Sequence, residues 1–116
     1  MTADRKYLCY IAHPLGAGSD RAANIEAATL MLAGLQHANP GRVFVASWIT
    51  LARVWPEDVE HRALGIAADL ALLEHCQEIW LTGPHISPGM RIELDHAQKR
   101  GLRVVDLSLD RKTRAK

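Results

Sequence analysis

Two acidic side chains stand where the sequence pattern calls for apolar ones. Glu93 lies three residues after Met90 and four before Ala97, on or beside the core-facing stripe that Met90, Leu94 and Ala97 draw along a helix. Asp69 is the only charge in the run from Ala63 to Leu73. A buried carboxylate without a partner is costly, so such a residue is exposed, hydrogen-bonded or functional. Two carboxylates near an apolar crevice can work on a glycosidic bond: one attacks the anomeric carbon, the other handles a proton or orients the sugar. Retaining enzymes of that kind hold the two groups roughly 5–5.5 Å apart. Plainer readings stand beside this one. Glu93 can reach water at the stripe's edge or pair with Lys99 or Arg100. Asp69 can cap a short helix from Leu70, or share a thin polar stripe with Arg62 and Gln77.

The setting of Glu93 favours chemistry. Glu78-Ile-Trp-Leu-Thr82 reads as a buried strand, and Gly83-Pro84 stops it. Ser87-Pro88 then opens a helix, with Ser87 as N-cap and Pro88 at the first helical position. Free backbone N–H groups and the positive end of a helix dipole gather there, a setting that suits a phosphate or another anion. Glu93 is too far along to be a capping-box glutamate, which would stand at position 90.

Other candidate chemistry is thinner. Gly16-Ala-Gly18 begins like a dinucleotide fingerprint, but the third glycine position is Arg21 and no acidic residue closes the second strand. The two glycines read as a flexible rim or as an ordinary loop. With no P-loop either, no cofactor is expected. His13 and His85 both fall where they can reach a crevice. His37, His61, His75 and His96 share no ligand spacing, so no metal site is expected. Ser87 is better explained as a cap and anion contact than as a nucleophile. Trp48, Trp55 and Trp80 read as core or interface, and Trp48 can also border a planar ligand.

These residues have to be positioned by strands and helices in alternation. Strands are expected at Lys6–His13, Arg42–Trp48, Gln77–Thr82 and Leu102–Leu107. Helices are expected at about Arg21–His37, capped by Ser19 or Asp20, then from Glu57 or Asp58 to about His75, then at Pro88–Arg100, closed by Gly101. Ile49–Pro56 stays open between loop and a short helical turn. The pattern predicts an α/β fold, a Rossmann-like or flavodoxin-like three-layer sandwich on a mainly parallel four-stranded sheet of order 2-1-3-4. Ligands bind such sheets where the strand order reverses, here between the first and third strands. The rims of that crevice are Tyr10–Ser19 and Thr82–Glu93.

Composition narrows the partners. The chain has 116 residues, enough for one domain with a real core, taken as 6–109 plus a basic tail at 110–116. A net charge of +1, with the one basic cluster in that tail, argues against nucleic acid as a partner. No apolar run approaches the roughly 20 residues that span a bilayer, so no membrane partner is expected. The N-terminal residues show no signal-peptide pattern. Cys9 and Cys76 read as reduced, buried thiols of a cytoplasmic protein.

Three segments together resemble the nucleoside 2-deoxyribosyltransferase superfamily, which includes the 2'-deoxynucleoside 5'-phosphate N-hydrolases and small phage-type relatives. They are Tyr10-Ile-Ala-His-Pro-Leu-Gly16, the stretch from Asp69 to Cys76-x-Glu-Ile-Trp80, and Gly83-x-x-x-Ser87-x-Gly89-x-x-x-Glu93. The resemblance covers about residues 7–107. It implies that Glu93 is a nucleophile forming a covalent glycosyl intermediate. It implies that Asp69 contacts the sugar or assists proton transfer, and that Tyr10 lies near Glu93. It implies that Ser87 and Gly89 bind the sugar's 5' side or a 5'-phosphate, with Met90 in the same pocket. The rims add His13, Pro14, Gly16 and Gly83 as expected substrate contacts, and the carboxyl end of the second strand adds Trp48. The chain departs from the family at His13-Pro14, where members often carry small residues. A homo-oligomer is implied as well. The expected activity is cleavage or transfer at the N-glycosidic bond of a (deoxy)nucleoside or its 5'-monophosphate. The alternative is a non-catalytic nucleotide-binding or regulatory module using the same crevice.

Overall fold

The computed structural model describes residues 7–16 and 18–109, with only the backbone of Ser19. Expectations about Lys6 and the residues before it, Ala17, a Ser19 side-chain cap and the basic tail at 110–116 lie outside the described residues. The elements are β1 (Tyr7–Ala12), α1 (Gly18–Ala38), β2 (Arg42–Val45), α2 (Ser47–Val54), α3 (Val59–Leu73), β3 (Glu78–Leu81), α4 (Pro88–Lys99) and β4 (Arg103–Asp106). All strand pairs are parallel and the order is β2-β1-β3-β4. This is the α/β architecture expected from the alternation of apolar runs.

The sheet is covered on both faces. Tyr10, Ile79 and Leu81 point to one side, against Leu73 of α3 and Met90, Leu94 and Ala97 of α4. Cys9, Ile11, Phe44 and Trp80 point to the other, against Leu32 and Leu35 of α1. Burial of these side chains supplies the main stabilisation, at about 25 cal/mol per Å² of apolar surface. The two thiols, Cys9 and Cys76, are free and buried.

Some boundaries differ from the pattern. β2 stops at Val45, not Trp48, and Ile49–Pro56 resolves as helix α2 to Val54. Alternation through Val45 and Ser47 favours a strand, but tertiary contact wins. In helical geometry Trp48 and Ile49 are both buried, and the Trp48 indole N–H donates to the Ile11 carbonyl at 3.0 Å. α2 ends at Trp55, whose extended backbone (ψ 147°) is what a following proline demands. α1 starts at Gly18, so Asp20 lies within its first turn and is not its cap. Asp69 sits in the middle of α3 and caps nothing.

The β1 and β3 ends that frame the crevice are tied together. Tyr10 and Ala12 pair with Ile79 and Leu81. Beyond the ladder, the Thr82 N–H and hydroxyl both donate to the Ala12 carbonyl at 2.9 Å. Gly83 follows with φ +93°, and a Cβ there would come within 2.7 Å of Pro14 Cδ. Its lack of a side chain lets the two rims touch. Gly83→Ala should therefore destabilise the fold by about 2 kcal/mol, from the strained φ and the collision together. Chemical denaturation at constant m-value checks this.

Candidate functional site

A cleft of about 900 Å³ opens beyond the carboxyl ends of β1 and β3. His13–Gly16 form one rim, and Pro84, His85, Ser87–Met90 and Glu93 the other. α2 and the first half of α3 make the far wall. Asp58, His61, Arg62, Gly65, Ile66 and Asp69 all line the cleft, at the three-and-four spacing of one helix face.

Glu93 and Asp69 are both at the bottom of this cleft, 8% and 6% exposed. The Tyr10 hydroxyl, fully buried beneath them, donates to Glu93 Oε2 at 2.5 Å. Asp69 Oδ1 is buried without a hydrogen-bond partner among the described residues. Among the described residues neither acid has a cation within ion-pair distance. Arg100, one partner considered for Glu93, instead pairs with Glu74 at 3.0 Å.

The electrostatics follow from that isolation. Burial raises the Glu93 carboxyl well above its usual range, and the charge of Asp69 raises it further, against the Tyr10 hydrogen bond and the more distant Arg62. Burial pushes Asp69 up to about 6, while hydrogen bonding with Glu93 and Tyr10 pulls it down. The two carboxyls therefore titrate as a pair, and both keep their protons to higher pH than free carboxyls do. Burial, then the charges of Glu93 and Asp69, lift the Tyr10 phenol well above its ordinary value, so it stays a donor.

α4 begins as its sequence predicts. Ser87 Oγ accepts the Met90 N–H at 3.2 Å. The capping-box position is filled by Met90 itself: the Ser87 N–H donates to its sulfur at 3.4 Å. Gly89 leaves room for the Arg62 side chain, whose Nη2 would stand 3.1 Å from a Cβ at that position. A guanidinium thus meets the opening turn of α4, two turns of α3 away from Asp69.

His13, Pro14, Gly16, Trp48, Ser87, Gly89 and Met90 line the cleft as expected. Two residues do not. Gly83 is packed against His13 and Pro14 and does not face the cavity. Tyr10 lies under the floor and reaches the site through Glu93. His13 donates from Nδ1 to the Pro14 carbonyl at 2.8 Å, and burial lowers its pKa. His85 lines the cleft as well.

Sequence reasoning passed over the wall formed by Trp55, Asp58 and His61. Asp58 caps α3, accepting the His61 N–H at 2.8 Å, and the same Oδ1 accepts His61 Nδ1 at 2.8 Å. The Trp55 and His61 rings lie 5.4 Å apart at 60°. The available signal was the spacing of Asp58, His61, Arg62 and Asp69 on one helix face.

The chain belongs to a family described as a domain of unknown function (DUF7768), whose family model matches residues 7–107. Comparison with curated proteins gave no match.

The buried acid pair should weaken the fold at neutral pH. A carboxyl whose folded pKa is raised binds its proton more tightly in the folded chain, so stability is lost as pH rises from the unfolded to the folded value. Glu93→Gln should raise Tm at neutral pH by about 4 °C or more. The gain should shrink as pH falls through about 4, below which the unfolded chain is protonated as well. Thermal unfolding across that range checks the sign.

Proposed function

We propose that this member of the DUF7768 family acts on the N-glycosidic bond of a (deoxy)nucleoside or (deoxy)nucleoside 5'-monophosphate, with Glu93 as nucleophile. The observation that carries the reading is the Tyr10 hydrogen bond to a buried Glu93, beside an Asp69 oxygen left bare in the same cleft. The resemblance of Ser87-x-Gly89-x-x-x-Glu93 and Asp69 to the deoxyribosyltransferase superfamily supports it independently.

The chemistry uses the shared proton. When the proton rests on Asp69, Glu93 is the carboxylate, steadied at Oε2 by the Tyr10 hydroxyl. Its free oxygen attacks C1', and the C1'–N bond breaks with its electron pair going to the base. The proton on Asp69 then neutralises the leaving base. Water next attacks C1', Asp69 takes a proton from it, and the Glu93 ester opens. A second base in place of water gives transfer instead of hydrolysis. A 5' anion fits the opening turn of α4, where Ser87, Gly89 and Arg62 meet. Following the same resemblance, the working unit is a homo-oligomer. The buried free thiols agree with a cytoplasmic setting.

A panel of nucleosides and 5'-monophosphates, with and without an acceptor base and read for free base by chromatography, tests the proposal. Glu93→Gln should abolish base release while raising Tm, and retained turnover would remove Glu93 from the role. A non-catalytic nucleotide module would instead show ligand-dependent stabilisation without product. The rate should rise as pH climbs through about 6, where the pair loses its first proton, and fall at higher pH as the shared proton leaves. A flat profile would contradict proton sharing between Asp69 and Glu93.

A further inference from the structure

The wall made by Trp55, Asp58 and His61 has no part in the chemistry above, yet it lines the same cleft. From Asp69 to His61, α3 advances ~12 Å, a span that a nucleoside lying along this face fills end to end. Between them Gly65 leaves a bare step: a Cβ there would meet nothing within 4 Å. With the sugar held at the carboxylates, a base running along this face would lie over Gly65 and Ile66 and turn its outer edge towards His61.

His61 is held in one orientation. A carboxylate oxygen only accepts, so the contact between Asp58 Oδ1 and His61 Nδ1 places a proton on Nδ1. The neutral imidazole then presents Nε2 as a lone pair. The Asp58 carboxyl is held below its usual range by its backbone and side-chain bonds with His61, so it remains an acceptor. The Trp55 ring flanks that of His61.

We infer that His61, oriented by Asp58, reads the outer edge of the bound base and selects bases that carry an exocyclic amino group there, as adenine and cytosine do. Hypoxanthine and uracil present a carbonyl at that edge, and two acceptors facing each other leave both unpaired. The inference rests on the cleft being a nucleoside site, but it concerns binding and not bond cleavage. His61 is a specificity residue for whatever chemistry follows.

The test uses the full chain carrying Glu93→Gln, so that ligands stay intact. Calorimetry at about pH 8 compares 2'-deoxyadenosine with 2'-deoxyinosine, and their 5'-monophosphates, in which a 6-amino group beside an acceptor N1 is exchanged for a 6-carbonyl beside an N1–H donor. The adenine ligands should bind about tenfold more tightly. His61→Ala should erase that preference by weakening the adenine ligands alone. The fold survives this change because Asp58 caps α3 through the backbone N–H of residue 61. Asp58→Ser keeps a capping oxygen but frees the imidazole tautomer, and should also shrink the preference. Equal affinity for both ligands, equal weakening of both by His61→Ala, or no binding of either would overturn the inference. If the unmodified protein shows the preference but releases no base on long incubation, the glycosidic reading fails and the edge-reading role stands.

Discussion

The site depends on two carboxylic acids buried side by side with, among the described residues, no cation against them. An ionised carboxylate in such a place is expensive, and two are prohibitive, so one proton stays with the pair. Glu78 shows what the same fold does with an acid it merely stores. Its side chain is as deeply buried, at the opposite end of β3, but Arg42 reaches it at 2.8 Å, and the Trp80 indole N–H and the Cys9 thiol also donate to it. The hydrogen bond from Arg42 outweighs burial and holds Glu78 down at about 2. One strand thus carries a settled charge at its start and leads, beyond its end, to an unsettled one. The difference is the presence of a guanidinium.

Parallel pairing of β1 with β3 is what brings the unsettled pair together. It sets Tyr10 beside Ile79 and aims the chain after each strand into a common crevice. α3 and α4 then lie on the same face of the sheet, through Leu73, Met90 and Leu94. Asp69 and Glu93 sit one on each helix, so helix packing and not a loop fixes their approach. A site held by rigid elements loses little when a ligand enters.

The layout was legible in the sequence because strand and helix periods differ and the connections are short. Glu93 was legible because helix α4 announces itself by Ser87-Pro88 and because its apolar stripe is interrupted at one position. Asp69 was legible for the same reason in α3. The hydroxyl of Tyr10 could be expected near Glu93 only through a family resemblance, since nothing in an apolar strand indicates which side chain ends beneath a site. The α2 wall was illegible in another way. Trp48 reads as the end of a strand, and only its bond to the Ile11 carbonyl shows why the chain turns helical there. Gly83 looked like a ligand contact, yet its role is steric: it lets His13 and Pro14 close against the opposite rim.

The choice of Met90 at the third position of α4 carries one more consequence. Most helices that close their first turn reciprocally do so with a glutamate or glutamine side chain. Here a neutral thioether takes the Ser87 N–H, and the first turn carries no acidic residue. A glutamate at that place would set a third negative group less than one turn from Glu93 and drive the pair further towards full protonation. Sulfur closes the first turn without adding to that repulsion, and so leaves the protonation of the pair to burial and to the two acids themselves.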